Sequence, residues 1–396
     1  MKELEEKLKV LKEHVEEKNI TLMIMGLGSV GTYLLDYLLS RNDESVRVVV
    51  VGRNAERMES NVNIVRIGAL IRGLNKSSVV IESDVDFNNV QQMAEVFGKY
   101  QPDIVVNSSR VYSGLKYGSI SWSNLRAYGI WTPLSVKYIK NMMEAYGMAE
   151  SKAIVINTSY SDAVIPWLKT AGKNYPDFGS GNLNHLIPRI KYAVAQIIGI
   201  KDFWNVDAVL ATAHFHDVVI SKEGHTEGME QLLKIFYEGR EVEISQKEIF
   251  EKCKIAMPVD GKRNIMNASS NYEIIKDILD GIREKGVRRF YSPGAFGEIG
   301  GYPVILDASE DCVSMKIDTS IFSMEAMRNA NRQSIAFDGI ENVVDGRLVY
   351  TDHLLNKVKD RFGVSLPKEV AFDEIDSVAD VLIEKIIKQA IGEKNK

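Results

Sequence analysis

Asn19-Ile-Thr-Leu-Met-Ile-Met-Gly-Leu-Gly-Ser-Val-Gly-Thr-Tyr-Leu-Leu-Asp-Tyr-Leu-Leu39 is the stretch on which the reading of this chain turns. An apolar run from Ile20 to Met25 enters Gly26-x-Gly28-x-x-Gly31, with Ser29 and Val30 between the last two glycines. Tyr33, Leu34, Leu35, Tyr37, Leu38 and Leu39 then recur at helical spacing. The pattern predicts a strand, a glycine turn and a helix. Gly26 permits the tight turn, Gly28 lets a pyrophosphate approach the backbone, and Gly31 lets helix and strand pack closely with the helix N-terminus facing the anion.

A second predicted strand, Val46 to Val51, ends in Gly52-Arg53-Asn54, so Arg53 stands 22 positions after Gly31, where a ribose-reading residue is expected. An acidic side chain there would accept the ribose 2′-hydroxyl; an arginine offers a planar donor fork to a 2′-phosphate. With Arg57 one helical turn on, the expected cofactor is NADP, with NAD possible. Helical patterning over Ala55 to Leu74, a strand at Ser78, a helix over Asn88 to Lys99 and a strand ending Ile104-Val-Val-Asn107-Ser108 continue the alternation. A helix from Leu134 to Tyr146 and a strand ending at Asn157 complete it. Strands alternating with helices predict an α/β fold: an N-terminal Rossmann doubly wound parallel sheet over residues 20–162. Residues 1–19 form an amphipathic helix with Leu4, Leu8, Leu11 and Val15 on one stripe. Glycines and prolines beyond Asp162 mark a boundary, so 163–396 reads as a mixed α+β substrate domain. Within it, strands are expected from Asp207 into His214 to Asp217 and around Tyr302 and Val313, and helices near Gly228 to Tyr237, Gln246 to Cys253 and Tyr272 to Glu284.

The chain has 396 residues, 45% of them hydrophobic, and a net charge of −5. That length supports two domains, and the charge balance with no basic run argues against nucleic acid as a partner. No apolar run reaches membrane-spanning length, and the charged N-terminus does not resemble a signal peptide, so a cytoplasmic protein without a membrane partner is expected. Cys253 and Cys312 match no metal or redox spacing and are expected as buried free thiols. The amphipathic first helix and the apolar helices of the second domain suggest a homo-oligomer, most simply a dimer.

Four features carry the chemistry. Residues Ser108 to Trp131 are rich in Ser, Gly and Tyr and follow a strand's carboxyl end, which makes them a candidate substrate-covering loop with Arg110 and Arg126 as its arginines. Arg189 sits on an otherwise apolar helix face and needs an anion, either internal or a substrate carboxylate. His214 and His216 close a strand, where a histidine suits proton exchange. His225 lies near them, but no compact ligand spacing supports a metal, and none is expected. Finally, Tyr112 and Lys116 form Tyr-x-x-x-Lys.

The segment Val155 to Asp217, with Asn157 at a strand end, a Gly-Ser-Gly turn, an arginine-bearing helix and His-x-His-Asp, resembles the lactate/malate dehydrogenase superfamily over roughly residues 20 to 330. The resemblance implies that Asn157 orients substrate and nicotinamide, that Arg189 grips a substrate carboxylate, and that Arg126 polarises the carbonyl. His214, one position late, or His216 would exchange the proton. Leu186 stands where that superfamily has the aspartate that orients the histidine, so Asp217 or Asp162 would have to substitute. The first half is also similar to the nucleotide halves of short-chain reductases and saccharopine dehydrogenase; the former place their Tyr-x-x-x-Lys one strand later. The expected function is an NADP(H)-dependent oxidoreductase acting on a small anionic hydroxy or oxo substrate. A saccharopine- or opine-type amino-acid dehydrogenase, or a non-catalytic NADP(H)-binding sensor, are the alternatives.

Overall fold

The computed structural model describes residues 4–74, 76–112, 117, 118, 120–258 and 260–390. Its first half alternates strands and helices as the sequence predicts: α1 (Leu4–Glu16), β1 (Ile20–Met25), α2 (Ser29–Ser40), β2 (Val46–Val51), α3 (Ala55–Ile71), β3 (Ser78–Glu82), α4 (Val90–Tyr100) and β4 (Ile104–Asn107). Then come α5 (Thr132–Met148), β5 (Ile154–Asn157), α6 (Ser161–Thr170) and a short β6 (Phe178–Gly179), which the sheet takes from beyond residue 162. The six strands lie in the order β3-β2-β1-β4-β5-β6, all neighbours parallel. Every residue of β1, β4 and β5 is buried, because helices cover both faces of the sheet. The strand order reverses between β1 and β4. Register there pairs Met25 with Asn107, and Asn107 with Asn157, so the loops after the three strands leave the sheet side by side. A crevice opens at such a point.

Helix α1 spends its apolar stripe inside the chain: Leu8, Leu11 and Val15 are buried in the same core as β1 and α2. It therefore gives no argument for oligomerisation. Lys7, on the same helix, is buried against Asp177, with its Nζ 2.8 and 2.7 Å from the two carboxylate oxygens.

The second half begins with α7 (Asn182–Ile198) and β7 (Val206–Ala211), followed by α8 (His214–Glu223), β8 (Leu232–Tyr237), β9 (Arg240–Glu241), α9 (Gln246–Lys252) and α10 (Asn264–Glu284). Strands β10 (Val287–Pro293), β11 (Gly301–Asp307) and β12 (Ser314–Ile317) form one antiparallel sheet; β7 to β9 form another. Two expectations are corrected here. Leu232 to Tyr237 is a strand paired with β7, not a helix; six apolar-rich residues fit either period until a partner strand is present. The strand expected to carry His214 to Asp217 ends at Ala211, and His214 opens a helix.

Beyond these lie α11 (Met324–Phe337), β13 (Ile340–Val344), β14 (Arg347–Tyr350), α12 (Asp352–Phe362), β15 (Glu369–Ala371) and α13 (Ile375–Val381). Asp345 and Gly346, both at positive φ, turn the β13–β14 hairpin. Leu348, Tyr350, Leu354, Ile375 and Leu382 share a core with Ile139 and Trp167 of the first half. The C-terminal part thus packs back on α5 and α6, bringing α11 to the crevice. Cys253 is buried, but Cys312 is exposed, contrary to expectation; both are free.

Candidate active site

A cleft of about 960 Å³ runs along the carboxyl edge of the sheet and into the second half. At one end it is lined by Gly26, Gly28, Ser29, Val30, Arg53, Asn54, Arg57 and Ser108. Gly26 has φ +95°, and a Cβ at Gly31 would sit 2.4 Å from the Gly26 carbonyl oxygen, so the turn and the close helix approach each need glycine. At Gly28 a Cβ would meet nothing within 4 Å, which leaves the backbone open to a ligand. Helix α2 has no side-chain cap at Gly28, so its first-turn N–H groups face the cleft unsatisfied by side chains. An anion such as a pyrophosphate fits this cradle. Asn54 caps α3, its side chain accepting from the Arg57 N–H at 2.8 Å, and so fixes where Arg57 starts. Arg53 lies with its guanidinium 5.8 Å from the Tyr138 ring centroid and has no ion pair among the described residues. Gly31 lies beneath the turn rather than on the cleft wall.

Asn107 and Asn157 are fully buried and do not line the cleft. Asn107 Nδ2 donates to Asn157 Oδ1 at 2.9 Å, and Asn157 Nδ2 donates to the Ser159 carbonyl and to Ser161 Oγ at 3.0 Å each. The pair ties the loops after β4 and β5 together from below. The direct cofactor or substrate contact expected of Asn157 is thus replaced by a supporting one, since its amide is already bonded.

At the other end the cleft is lined by His185 and Arg189 from α7, and by His214, Asp217, Ser221 and Lys222 from α8. Arg263, at the entry to α10, joins them. His214 Nδ1 is 2.6 Å from Asp338 Oδ2. Asp338 is wholly buried and also accepts from the Tyr160 hydroxyl at 2.9 Å and the Tyr128 N–H at 2.9 Å. Tyr160 holds a left-handed conformation, φ 45°, which a bulky side chain adopts at a cost, so the surrounding structure enforces its position. Burial disfavours the imidazolium of His214, but Asp338, then Asp162 and Asp217, outweigh it and raise its pKa. Asp162, one of the two expected partners of the histidine, instead accepts the His214 backbone N–H at 3.0 Å. The carboxylate that meets the ring comes from the C-cap of α11.

His216 is turned away. Two residues along a helix rotate a side chain by roughly 200°, so His216 is buried against Ser334 Oγ at 2.6 Å and the Thr226 carbonyl at 3.1 Å. Burial pushes its pKa down to about 4, leaving it neutral. Arg126 does not line the cleft either. Its guanidinium bonds Glu223 at 2.6 and 3.0 Å and pairs with Glu227, while its ring-facing side lies 5.0 Å from Trp122. Two acidic neighbours hold it there, so its expected carbonyl-polarising role is corrected to an ion pair. The same arginine occupies the carboxylates of the Glu223, His225 and Glu227 cluster. Tyr112 lines the cleft, whereas Lys116 lies outside the described residues.

Arg189 is 5% exposed and, among the described residues, finds no carboxylate within ion-pair distance. Its Nη1 donates to the Cys253 carbonyl at 3.1 Å, and its Nη2 lies 2.9 Å from the Met257 sulfur. Burial, with Arg263 repelling and Asp217 only partly compensating, lowers its pKa. A buried guanidinium so placed favours an incoming anion. Asp338, Lys222 and Arg263 were not legible as site residues. The signal for Asp338 is its position at a helix C-terminus, where the macrodipole disfavours a negative charge unless it has another task.

Comparison with known proteins accords with this geometry. The family model described as saccharopine dehydrogenase NADP binding domain matches residues 22–117. No curated protein sequence matches the chain. Among solved structures, the chain is similar to malate dehydrogenase of Cryptosporidium parvum, with a TM-score of 0.51, 14% identity, and 81% of this chain and 98% of that one covered. Lactate dehydrogenase of Cryptosporidium parvum, complexed with lactic acid and nicotinamide adenine dinucleotide, gives 0.54, 14%, 81% and 97%. Malate dehydrogenase of Plasmodium falciparum in complex with NADH gives 0.50, 15%, 80% and 95%. At these identities the likeness is one of fold. The resemblances read from the sequence, to lactate/malate dehydrogenases and to saccharopine dehydrogenase, are both supported.

Proposed function

We propose that the protein is an NADP(H)-dependent dehydrogenase that moves a hydride to or from a small anionic hydroxy or oxo acid. One observation carries this reading: His214, backed by Asp338, opens on the same cleft as the glycine turn, Arg53 and the unpaired Arg189. A nicotinamide bound in such a cleft supplies the hydride. The chain's own residues do the rest. The open N-terminus of α2 receives the pyrophosphate, and Arg53 with Arg57 receives the 2′-phosphate. Arg189 holds the substrate carboxylate and fixes the reacting carbon against the cofactor. His214 has Nδ1 committed to Asp338, which leaves Nε2 to give a proton to the substrate oxygen on reduction and take it back on oxidation. Asp338 keeps the ring oriented and favours its charged form. In this reading residues 20–162 hold the cofactor and residues 163–396 present the substrate groups.

The match of residues 22–117 to the saccharopine dehydrogenase domain favours one variant, in which the electrophile is an imine formed from an oxo acid and an amine. Hydride transfer from labelled NADPH to a panel of oxo acids, with and without added amines, separates the two. Transfer to none of them, with NADPH still bound, would leave only a binding role.

A further inference from the structure

Among the described residues, eight buried side-chain atoms find no hydrogen-bond partner within the chain. Four of them, His185 Nε2, Arg189 Nε, Asp217 Oδ1 and Ser221 Oγ, belong to residues that line the substrate end of the cleft. His185 and Arg189 stand four residues apart on α7, and Asp217 and Ser221 four apart on α8, so each pair shares one helix face. The two helices pack together. Buried polar atoms are nearly always bonded, and two facing pairs left open in one cleft form a polar subsite that needs a ligand.

The chemistry of the four atoms defines what they take. Arg189 Nε–H is a donor and requires an acceptor, which the substrate carboxylate provides. Asp217 is 4% exposed, and its Oδ1 accepts no hydrogen bond among the described residues, although His214 and Arg189 lie close enough to act on its charge. His185 is held neutral by burial, its pKa down to about 4, and its Nε2 has no partner among the described residues. With Arg189 Nε–H met by the carboxylate, His185, Asp217 and Ser221 Oγ, which donates as well as accepts, are left over and call for a second hydrogen-bonding group on the ligand. The reacting hydroxyl cannot fill this need, because it belongs to His214.

We infer that the substrate carries, besides its carboxylate and reacting carbon, a second hydrogen-bonding group, a hydroxyl or an amine, which Asp217 and His185 read. Burial raises the Asp217 carboxyl to about 8, against the pull of His214 and Arg189, so it is largely protonated at neutral pH, and a cationic group placed beside it would favour its ionised form.

This inference rests on the dehydrogenase reading, and binding separates the two. Lactate, glycerate and isoserine are three-carbon 2-hydroxy acids that differ only in having no donor, a hydroxyl or an amine at carbon 3. Calorimetric titration of each into the NADP⁺ complex should show glycerate or isoserine bound at least about tenfold tighter than lactate, the scale of one well-made hydrogen bond. Asp217→Asn should remove most of that preference while leaving NADP⁺ affinity unchanged. A loss larger for isoserine than for glycerate identifies the amine as the donor; equal losses identify the hydroxyl. Equal binding of all three acids, binding of none, or a preference that survives Asp217→Asn would overturn the inference. Selective binding without hydride transfer would instead leave the inference standing and remove the dehydrogenase reading.

Discussion

His214 Nδ1 lies 2.6 Å from Asp338 Oδ2, although 124 positions separate the two residues. The same carboxylate oxygen accepts from Tyr160, and the other from the Tyr128 N–H, so Asp338 is fixed before any ligand enters. Asp338→Asn keeps the shape and removes the charge. We expect turnover to fall by about 10²- to 10⁴-fold with NADPH affinity unchanged, as when an oriented histidine loses its carboxylate. The pH dependence shifts as well. His214 has a raised pKa, so reduction, which needs its charged form, is sustained up to that pKa and declines above it; oxidation rises over the same range. In the Asp338→Asn variant both limbs should move to lower pH. His216, already neutral from about pH 4 upward, should leave the profile in place when changed to Asn. Steady-state rates across pH 5 to 10 measure all three.

Arg189→Lys retains a positive charge but loses the planar two-point grip. The expected result is a rise in substrate KM of about tenfold or more, a lower kcat, and an unchanged dissociation constant for NADPH. A drop in urea midpoint with unaltered kinetics would return Arg189 to a packing role against Cys253 and Met257.

Arg53 and Arg57 line the cofactor end of the cleft, and Arg53 has no ion pair among the described residues. NADPH should bind at least about tenfold tighter than NADH, a difference of about 1.4 kcal/mol. Arg53→Asp should reverse the order, because a carboxylate accepts the ribose hydroxyl and repels a phosphate. Fluorescence titration with both cofactors reads the ratio directly.

Much of the fold was legible, and the reason lies in the range of the forces that set it. The glycine turn at Gly26 to Gly31 and the apolar strands beside it are local patterns, and the structure has them where the sequence predicts. His214 and Arg189 could be named because a histidine at a strand end and an arginine on an apolar helix face are local anomalies. Asp338 could not be tied to His214, since that pairing is made only when the C-terminal part folds back on α5 and α6. Arg126 misled for the same reason: Glu223 and Glu227, about a hundred residues on, capture it. His216 was separable from His214 only once the segment became a helix. With helical rotation the two rings part; on a strand they would have shared a face.

Lys7 and Asp177 test the anchoring of α1. The pair is buried, and Asp177 also accepts the Val155 N–H at 2.9 Å, which links α1 to the sheet. Lys7→Met leaves a buried carboxylate without its partner, for which the expected cost is about 3–5 kcal/mol. Urea denaturation should show a lower midpoint. NADPH affinity of the folded fraction should stay the same, since the pair lies away from the cleft.

The central claim is that His214 exchanges the proton while the cofactor bound beside it exchanges the hydride. The most direct measurement is deuteride transfer from NADPH labelled at the nicotinamide C4, with products of an oxo acid panel analysed by mass, for the unmodified protein and for His214→Asn. The account predicts a product carrying one deuterium from the unmodified protein, and loss of that product from a variant that still binds NADPH. Undiminished label transfer by His214→Asn, or no labelled product from either protein, would contradict it.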